Sequence, residues 1–182
     1  CISLLNHADR VKAACLAQLV NVIAPIMTET GGPAWRQTIF YPFAHFSRMG
    51  RGRVLRAEIS SPTYAARYND PQGPINDYFD IPAAPYLKLS AVHDDQAGTL
   101  TLFALNRSLT EELPLRLSAG GFSRLAVKQA LQLVDADLKA TNTRNDPDRV
   151  KPEPLAAVRA EGERVEATLA PASWNVIELK TS

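Results

Sequence analysis

The sequence predicts a mostly β protein whose larger part is an antiparallel β-sandwich. Short runs of alternating apolar and polar residues recur after residue 53, and turn residues separate them. About seven to nine such strands at regular spacing are typical of two packed antiparallel sheets. A hydrophobic fraction of 46% with 21% charged residues indicates a buried core and excludes a disordered chain.

The first 50 residues follow a different pattern. Apolar residues at spacings of three and four between positions 4 and 19 favour a helix. The near-continuous apolar run over residues 11 to 27 is equally typical of a buried parallel strand, so periodicity leaves both interpretations open. Pro25 and the pair Gly31 and Gly32 then predict a long loop.

A short helix is predicted over residues 38 to 50. Thr38 has a side chain suited to the N-cap position, and Pro42 falls in the first turn, where a missing N–H is tolerated. Gly50 and Gly52 end the helix.

The strands that follow are predicted to bury one face. In "GTLTLFALN", Leu100, Leu102 and Ala104 point to one side, whereas Thr99, Thr101 and Phe103 point to the other. The segment "ELPLRLSA" alternates in the same way, and "HDDQAGT" supplies the turn of a hairpin. Two more short strands surround Pro171, and "ATNTRNDPDRVKPEP" is predicted to be a polar surface connection.

Charge and cysteine content exclude several classes of partner. The chain has 20 Lys plus Arg against 19 Asp plus Glu and no basic stripe, so nucleic acid is not expected to bind. No run reaches the roughly 20 apolar residues that a membrane span needs. The start "CISLLNHADR" has neither a basic region nor a small-residue cleavage site, so we do not expect it to be a signal peptide. Cys1 and Cys15 form a poor disulfide framework, which fits a reducing cytoplasm. Because residue 1 is not Met, we expect the chain to continue a longer protein.

No catalytic or metal-binding constellation emerges from the residues themselves. Glu29 and Glu58 are carboxylates of the kind that glycosidases pair, but nothing in the sequence brings them together. His7, His45 and His93 lack metal-ligand spacing, so neither a metal nor a cofactor is expected.

The stretch "GGPAWRQTIFYPF", residues 31 to 43, is the best candidate for binding. A Gly-Gly turn lets the backbone approach a ligand, Trp35 offers a flat apolar face, and Gln37 offers both a donor and an acceptor to a hydroxyl. These groups suit a neutral sugar. A packed loop whose aromatic residues fill a core is the alternative that composition leaves open.

Residues 6 to 52, "NHADRVKAACLAQLVNVIAPIMTETGGPAWRQTIFYPFAHFSRMGRG", resemble the closing segment of the catalytic barrel in family 51 glycoside hydrolases, the intracellular α-L-arabinofuranosidases. "PYLKLSAVHDDQAGTLTLFALNRSLTEE" and "SWNVIEL" are similar to the carboxy-terminal sandwich of that family. The resemblance implies that residues 1–52 are the end of a (β/α)8 TIM barrel. Residues 1 to 9 would finish the seventh helix, and about 11 to 16 would be the eighth strand. An active-site loop over 17 to 37 and the eighth helix over 38 to 50 would follow, and residues 53–182 would form a jelly-roll-like β-sandwich.

The same resemblance implies a function. Retaining enzymes of this family use two glutamates that lie upstream of Cys1, so this chain contains no catalytic residue and is expected to be inactive alone. Gln37 matches the glutamine that binds the arabinofuranose, and Trp35 and Arg36 would shape the same wall. Arabinose-containing oligosaccharides, the upstream barrel segment and a homo-oligomer, hexameric in the family, are the implied partners.

A non-catalytic β-sandwich module that binds carbohydrate or protein is the alternative. Such a module would expose aromatic residues on one sheet face, and Tyr86, Phe103 and Trp174 are the candidates.

Overall fold

The computed structural model describes residues 1–69 and 78–181, and within them the prediction of a mostly β fold is confirmed. The described part of the chain contains two short helices and thirteen strands, joined by turns and loops. In chain order these are α1 Ile2–Asn6, β1 Ile26–Thr28, β2 Ala34–Arg36, α2 Phe40–Met49, β3 Arg53–Leu55, β4 Thr63–Asn69, β5 Tyr78–Pro85, β6 Leu87–Asp94, β7 Thr99–Asn106, β8 Leu113–Ser118, β9 Leu125–Leu133, β10 Glu153–Pro154, β11 Arg159–Glu161, β12 Arg164–Leu169 and β13 Trp174–Thr181.

Two antiparallel sheets pack face to face after residue 53. The larger has six strands in the order β10-β9-β13-β7-β6-β3, and the smaller has three in the order β11-β12-β8. Their inner faces share one apolar core, to which both sheets contribute: Leu87, Leu89, Leu100, Leu102, Leu113, Leu115, Val165, Leu169, Ile177 and Leu179. The predicted sandwich is therefore present, and β4 and β5 form a separate two-stranded hairpin beside it.

The turn between β6 and β7 has the chemistry that the sequence predicts. Asp94 Oδ1 accepts hydrogen bonds from the backbone N–H groups of Gln96 and Ala97, both at 3.0 Å. This local arrangement satisfies two turn donors and fixes where β6 stops. The strands on either side pair from Leu87 opposite Asn106 to Asp94 opposite Thr99.

Strand β7 of the six-stranded sheet is buried on both faces, which differs from the prediction that the strands bury one face. Leu100, Leu102 and Ala104 face the sandwich core as expected, but Phe103 on the opposite face has no exposed surface either. The alternation of β7 predicts which residues share a face and cannot predict what covers that face. Here the first two helices cover it, so β7 resembles the strands buried on both sides in layered α/β proteins.

An aromatic cluster holds α2 to the covered face. The Phe46 ring stacks on Phe103 with 4.3 Å between centroids, and Trp174 lies 5.2 Å from Phe46. Trp174 Nε1–H donates a hydrogen bond of 3.2 Å to His45 Nδ1. Phe103 and Trp174 are therefore core residues rather than the exposed platform that a carbohydrate-binding module would need.

The predicted strand over about residues 11 to 16 is not formed. These residues have no strand pairing and belong to a connection in which 12 to 20 are all exposed. A parallel barrel strand obtains its hydrogen bonds from neighbouring strands on both sides, and the described residues include no other barrel strand to pair with it. The helix expected at the start is present as α1.

The helix predicted over 38 to 50 is present as α2, Phe40–Met49. The proposed N-cap is wrong, because Ile39 occupies that position and no side chain caps the helix. Thr38 contributes only its carbonyl, which accepts from the Tyr41 N–H at 3.4 Å. No helix in the described part of the chain is long and apolar enough to cross a membrane.

Gly52, at the junction between α2 and β3, cannot carry a side chain. Its φ is +116°, and a Cβ there would lie 2.2 Å from the carbonyl oxygen of His93. We expect Gly52→Ala to lower the free energy of unfolding by at least about 2 kcal/mol, because both strain and a backbone clash result. Urea denaturation measures this, with Gly120→Ala as the matched control, since a Cβ at Gly120 meets nothing within 4 Å. Equal stability of the two variants would contradict the account.

The hydrogen-bonded pair of His45 and Trp174 predicts that stability depends on pH. Burial, with a smaller contribution from Arg48, lowers the pKa of His45. Below about pH 6.5 the unfolded chain binds a proton that the folded chain resists, so the free energy of unfolding falls as the pH falls from 6.5 towards the folded pKa. Protonation also removes the lone pair that accepts from Trp174.

We expect His45→Gln to flatten the dependence of stability on pH between about pH 7 and pH 5. Urea titrations followed by tryptophan fluorescence at several pH values measure the slope. His7→Gln is the control, because His7 is an exposed histidine at the end of α1. The same slope in both variants would rule out His45 as its source.

Candidate functional site

The glycine-rich stretch forms a β-hairpin inside the segment predicted to be a long loop. Strands β1 and β2 pair antiparallel, with Ile26 opposite Arg36 and Thr28 opposite Ala34. Gly31 has a φ of +67°, the left-handed conformation that glycine adopts without strain. The prediction of a turn at the two glycines is confirmed, and the strands around it were missed because each is only three residues long.

The Asn21 side chain braces β1 of the hairpin at Thr28. Its Oδ1 accepts from the Thr28 N–H at 2.7 Å, and its Nδ2 donates to Thr28 Oγ1 at 3.0 Å. The Gln37 backbone N–H donates to the Pro25 carbonyl at 2.8 Å. These local hydrogen bonds help to define the geometry of the hairpin.

The three predicted binding residues lie at the end of this hairpin. Trp35 and Gln37 are half-buried, and Arg36 between them is exposed. The Trp35 and Gln37 side chains turn to the same partner, whereas the Arg36 guanidinium lies 5.1 Å from the centroid of the Phe40 ring. The structure thus brings Trp35 and Gln37 together and places Arg36 on the other side.

Their common partner is the backbone carbonyl of Asn142. Trp35 Nε1–H donates to it at 3.2 Å, and Gln37 Nε2–H donates at 3.1 Å. The Asn142 side chain is buried and donates through Nδ2 to the carbonyls of Arg36 and Val150, each at 2.9 Å. Its Oδ1 accepts from the Val150 N–H at 2.8 Å. Both donors of the Asn142 amide and one of its two acceptor sites are therefore hydrogen-bonded.

Sequence reasoning missed Asn142. It stands in the polar run "TNTRND", where Asn145 has the same side chain three positions later. Only the fold, which brings residue 142 against a hairpin more than 100 residues earlier, distinguishes the two asparagines.

A second contact joins the polar loop to the hairpin. Arg144 Nη1 lies 3.0 Å from Glu29 Oε2, and both side chains are partly exposed, so this ion pair contributes less than about 1 kcal/mol. Glu58 lies elsewhere, at a cavity of about 560 Å³ beside the sandwich. The two glutamates therefore share no cleft, and neither resembles half of a catalytic pair.

The segment that leads into the hairpin exposes apolar side chains. Leu19, Val22 and Ile23 are 78%, 81% and 62% exposed. Gln18, Asn21 and Val22 have positive φ values, of which the one at Val22 is the most strained because its side chain is β-branched. Such a segment lacks the packing that normally compensates for strain of this kind.

Histidines and acidic residues do not converge on the hairpin. His93 Nδ1 lies 3.0 Å from Asp95 Oδ1, and His45 is occupied by Trp174. Over residues 1–69 and 78–181, no group of three or more His, Cys, Asp or Glu side chains could hold a metal ion. The hairpin and its polar loop therefore supply hydrogen-bonding groups and an aromatic ring, which are means of recognition.

Comparisons with family models and with known proteins all point to α-L-arabinofuranosidases. The family model described as the α-L-arabinofuranosidase C-terminal domain matches residues 1–173. An intracellular exo-α-(1→5)-L-arabinofuranosidase from Halalkalibacterium halodurans is 47% identical over 98% of this chain and 33% of its own length. A protein of the same name from Streptomyces lividans is 47% identical over 97% of this chain and 25% of its own.

A solved structure matches at the level of the fold and the sequence. It is that of a family 51 α-L-arabinofuranosidase from Bifidobacterium longum, with a TM-score of 0.82 and 38% identity over 97% of this chain and 32% of that one. The chain thus spans about a quarter to a third of the length of the relatives it matches. On these matches, it belongs to the α-L-arabinofuranosidase C-terminal domain family.

Proposed function

We propose that this chain is the carboxy-terminal portion of an intracellular, cytoplasmic, retaining α-L-arabinofuranosidase. The whole enzyme would remove terminal non-reducing α-L-arabinofuranosyl residues from oligosaccharides of the arabinan or arabinoxylan type. The observation that carries the proposal is the family match over residues 1–173, together with relatives that extend well beyond the matched region. A retaining glycosidase needs two carboxylates about 5 Å apart, and we assign both to the upstream barrel.

Residues 1–52 would supply the last β/α unit of the barrel, and residues 53–182 the jelly-roll-like sandwich. The exposed apolar side chains of Leu19, Val22 and Ile23 support this division, because they need a partner that the described residues do not provide. The unpaired residues 11 to 16 would pair with upstream strands. On this proposal α2 is the last helix of the barrel, and its other face packs on the sandwich.

The hairpin would form one wall of the sugar site. Loops that follow barrel strands lie on the face where such barrels perform catalysis, and the hairpin follows the proposed eighth strand. Gln37 would hydrogen-bond a hydroxyl of the arabinofuranose, Trp35 would present its half-buried ring, and the exposed Arg36 would extend the wall. A homo-oligomer, hexameric as in the family, stays a prediction.

The alternative function, a free-standing carbohydrate- or protein-binding sandwich, has less support. Two of the three aromatic residues that it would use, Phe103 and Trp174, lie under the helices. Tyr86 is partly buried and tilts against Tyr64 at 4.7 Å, so no aromatic face is left open by these three residues.

The proposal predicts where activity resides. We expect the 182-residue chain to show no hydrolysis of an aryl α-L-arabinofuranoside, and the protein extended upstream through its barrel to be active. A chromogenic assay of both proteins at equal concentration measures this. Activity of the short chain would contradict the proposal, and so would an extended, folded protein that is inactive.

Gln37 is expected to matter for catalysis in the extended protein. Gln37→Ala should lower kcat/KM by about 10- to 1000-fold, because a hydrogen bond to a sugar hydroxyl strengthens in the transition state. Gln96→Ala, in the turn between β6 and β7, is the matched control and should leave kcat/KM within about twofold. A change of less than twofold at Gln37 would remove it from the site.

A further inference from the structure

We infer that Asn142, a residue of the sandwich domain, is a positioning residue of the sugar site: it fixes the Gln37 amide so that Oε1 is the acceptor presented to the substrate. The inference rests on the proposed function, and it adds a residue and a defined hydrogen-bond polarity to it. The substrate group recognised is therefore a hydroxyl that donates its proton to Gln37.

The polarity follows from the chemistry of the partner. A backbone carbonyl can only accept hydrogen bonds, so the Gln37 atom that lies 3.1 Å from the Asn142 carbonyl must be the amide nitrogen. The other branch of the planar amide is then Oε1, which points away from that carbonyl. An unrestrained glutamine could rotate and offer either group, whereas this one is restricted to one orientation.

The carbonyl that fixes Gln37 is itself held in place. Asn142 is 2% exposed, and its Nδ2 donates to the carbonyl of Arg36, the residue between the two that donate to its own carbonyl. Three hydrogen bonds therefore join the hairpin to this one residue in a reciprocal arrangement. A displacement of the loop would break them together, because they share the same two segments of backbone.

The loop end of the arrangement is also anchored. The Asn142 side chain makes two further bonds with Val150, which is buried, and these close the loop between residues 142 and 150. Removing the side chain would leave the N–H of Val150 and the carbonyl of Arg36 without these partners, and an unmade buried hydrogen bond is costly. The buried Asn142 side chain thus ties the loop that ends at Val150 to the hairpin.

A double-mutant cycle in the extended enzyme tests the inference. We expect Asn142→Ala to lower kcat/KM for an aryl α-L-arabinofuranoside by about tenfold or more, because the orientation of Gln37 is lost. Asn145→Ala, an exposed asparagine of the same loop, should change it by less than about twofold. In a Gln37→Ala background, Asn142→Ala should cost less than about threefold, since the group it positions is absent.

The outcomes separate the two claims. An inactive but folded extended protein overturns the proposed function and, with it, this role of Asn142. An active enzyme in which Asn142→Ala costs the same with and without Gln37 leaves the proposed function standing and overturns the inference, because a general loss of stability would be additive.

A second measurement does not depend on activity and guards against a variant that fails to fold. Asn142→Asp keeps an acceptor for the Val150 N–H but loses the donor to Arg36. In the 182-residue chain, we expect this variant to speed exchange of the Trp35 indole N–H by about tenfold or more, whereas Asn145→Ala does not. The Trp174 indole N–H, bonded to His45, is the internal reference. Unchanged exchange at Trp35 would overturn the inference.

Discussion

The packing of α2 on the six-stranded sheet is the constraint on which the rest of the structure depends. Full burial of a side chain such as Phe103 is worth about 1.5–3 kcal/mol, and a stacked aromatic pair adds about 0.5–1.5 kcal/mol. Phe46 and Trp174 extend this contact along the helix and onto β13. Because only three residues separate the end of β2 from the start of α2, the same contact sets where the hairpin ends.

The hairpin has a second attachment of a different physical kind. Its link to Asn142 consists of hydrogen bonds, each of which contributes about 0.5–1.5 kcal/mol net and depends strongly on direction. Apolar packing through α2 thus determines how firmly the N-terminal segment is held, and the polar contact determines how the side chains of the hairpin are oriented. Neither attachment could replace the other, since apolar contacts do not fix the orientation of an amide.

Sequence reasoning predicted those parts of the fold that local patterns determine. The alternation in β7 assigned Leu100 and Phe103 to opposite faces correctly, and the turn chemistry of Asp94 marked the hairpin. Sequence reasoning failed where a distant element determines the burial or the contacts of a residue. Nothing within β7 reveals that α2 covers Phe103, and nothing around Asn142 reveals that a hairpin lies against it. Residues 11 to 16 form no strand in the described part of the chain for the same reason, since a strand exists only with its partners.

The role of Gln37 in a sugar site is a prediction from the resemblance, whereas the orientation of its amide could come only from the fold. Composition offers both a donor and an acceptor, and a glutamine in solution would present the two equally. The carbonyl of Asn142 removes this symmetry, because it accepts and cannot donate. On the proposed function, a carbonyl more than 100 residues away in the sequence would select which hydroxyl geometry the site recognises. The sandwich would then have a part in specificity although it holds none of the proposed catalytic carboxylates.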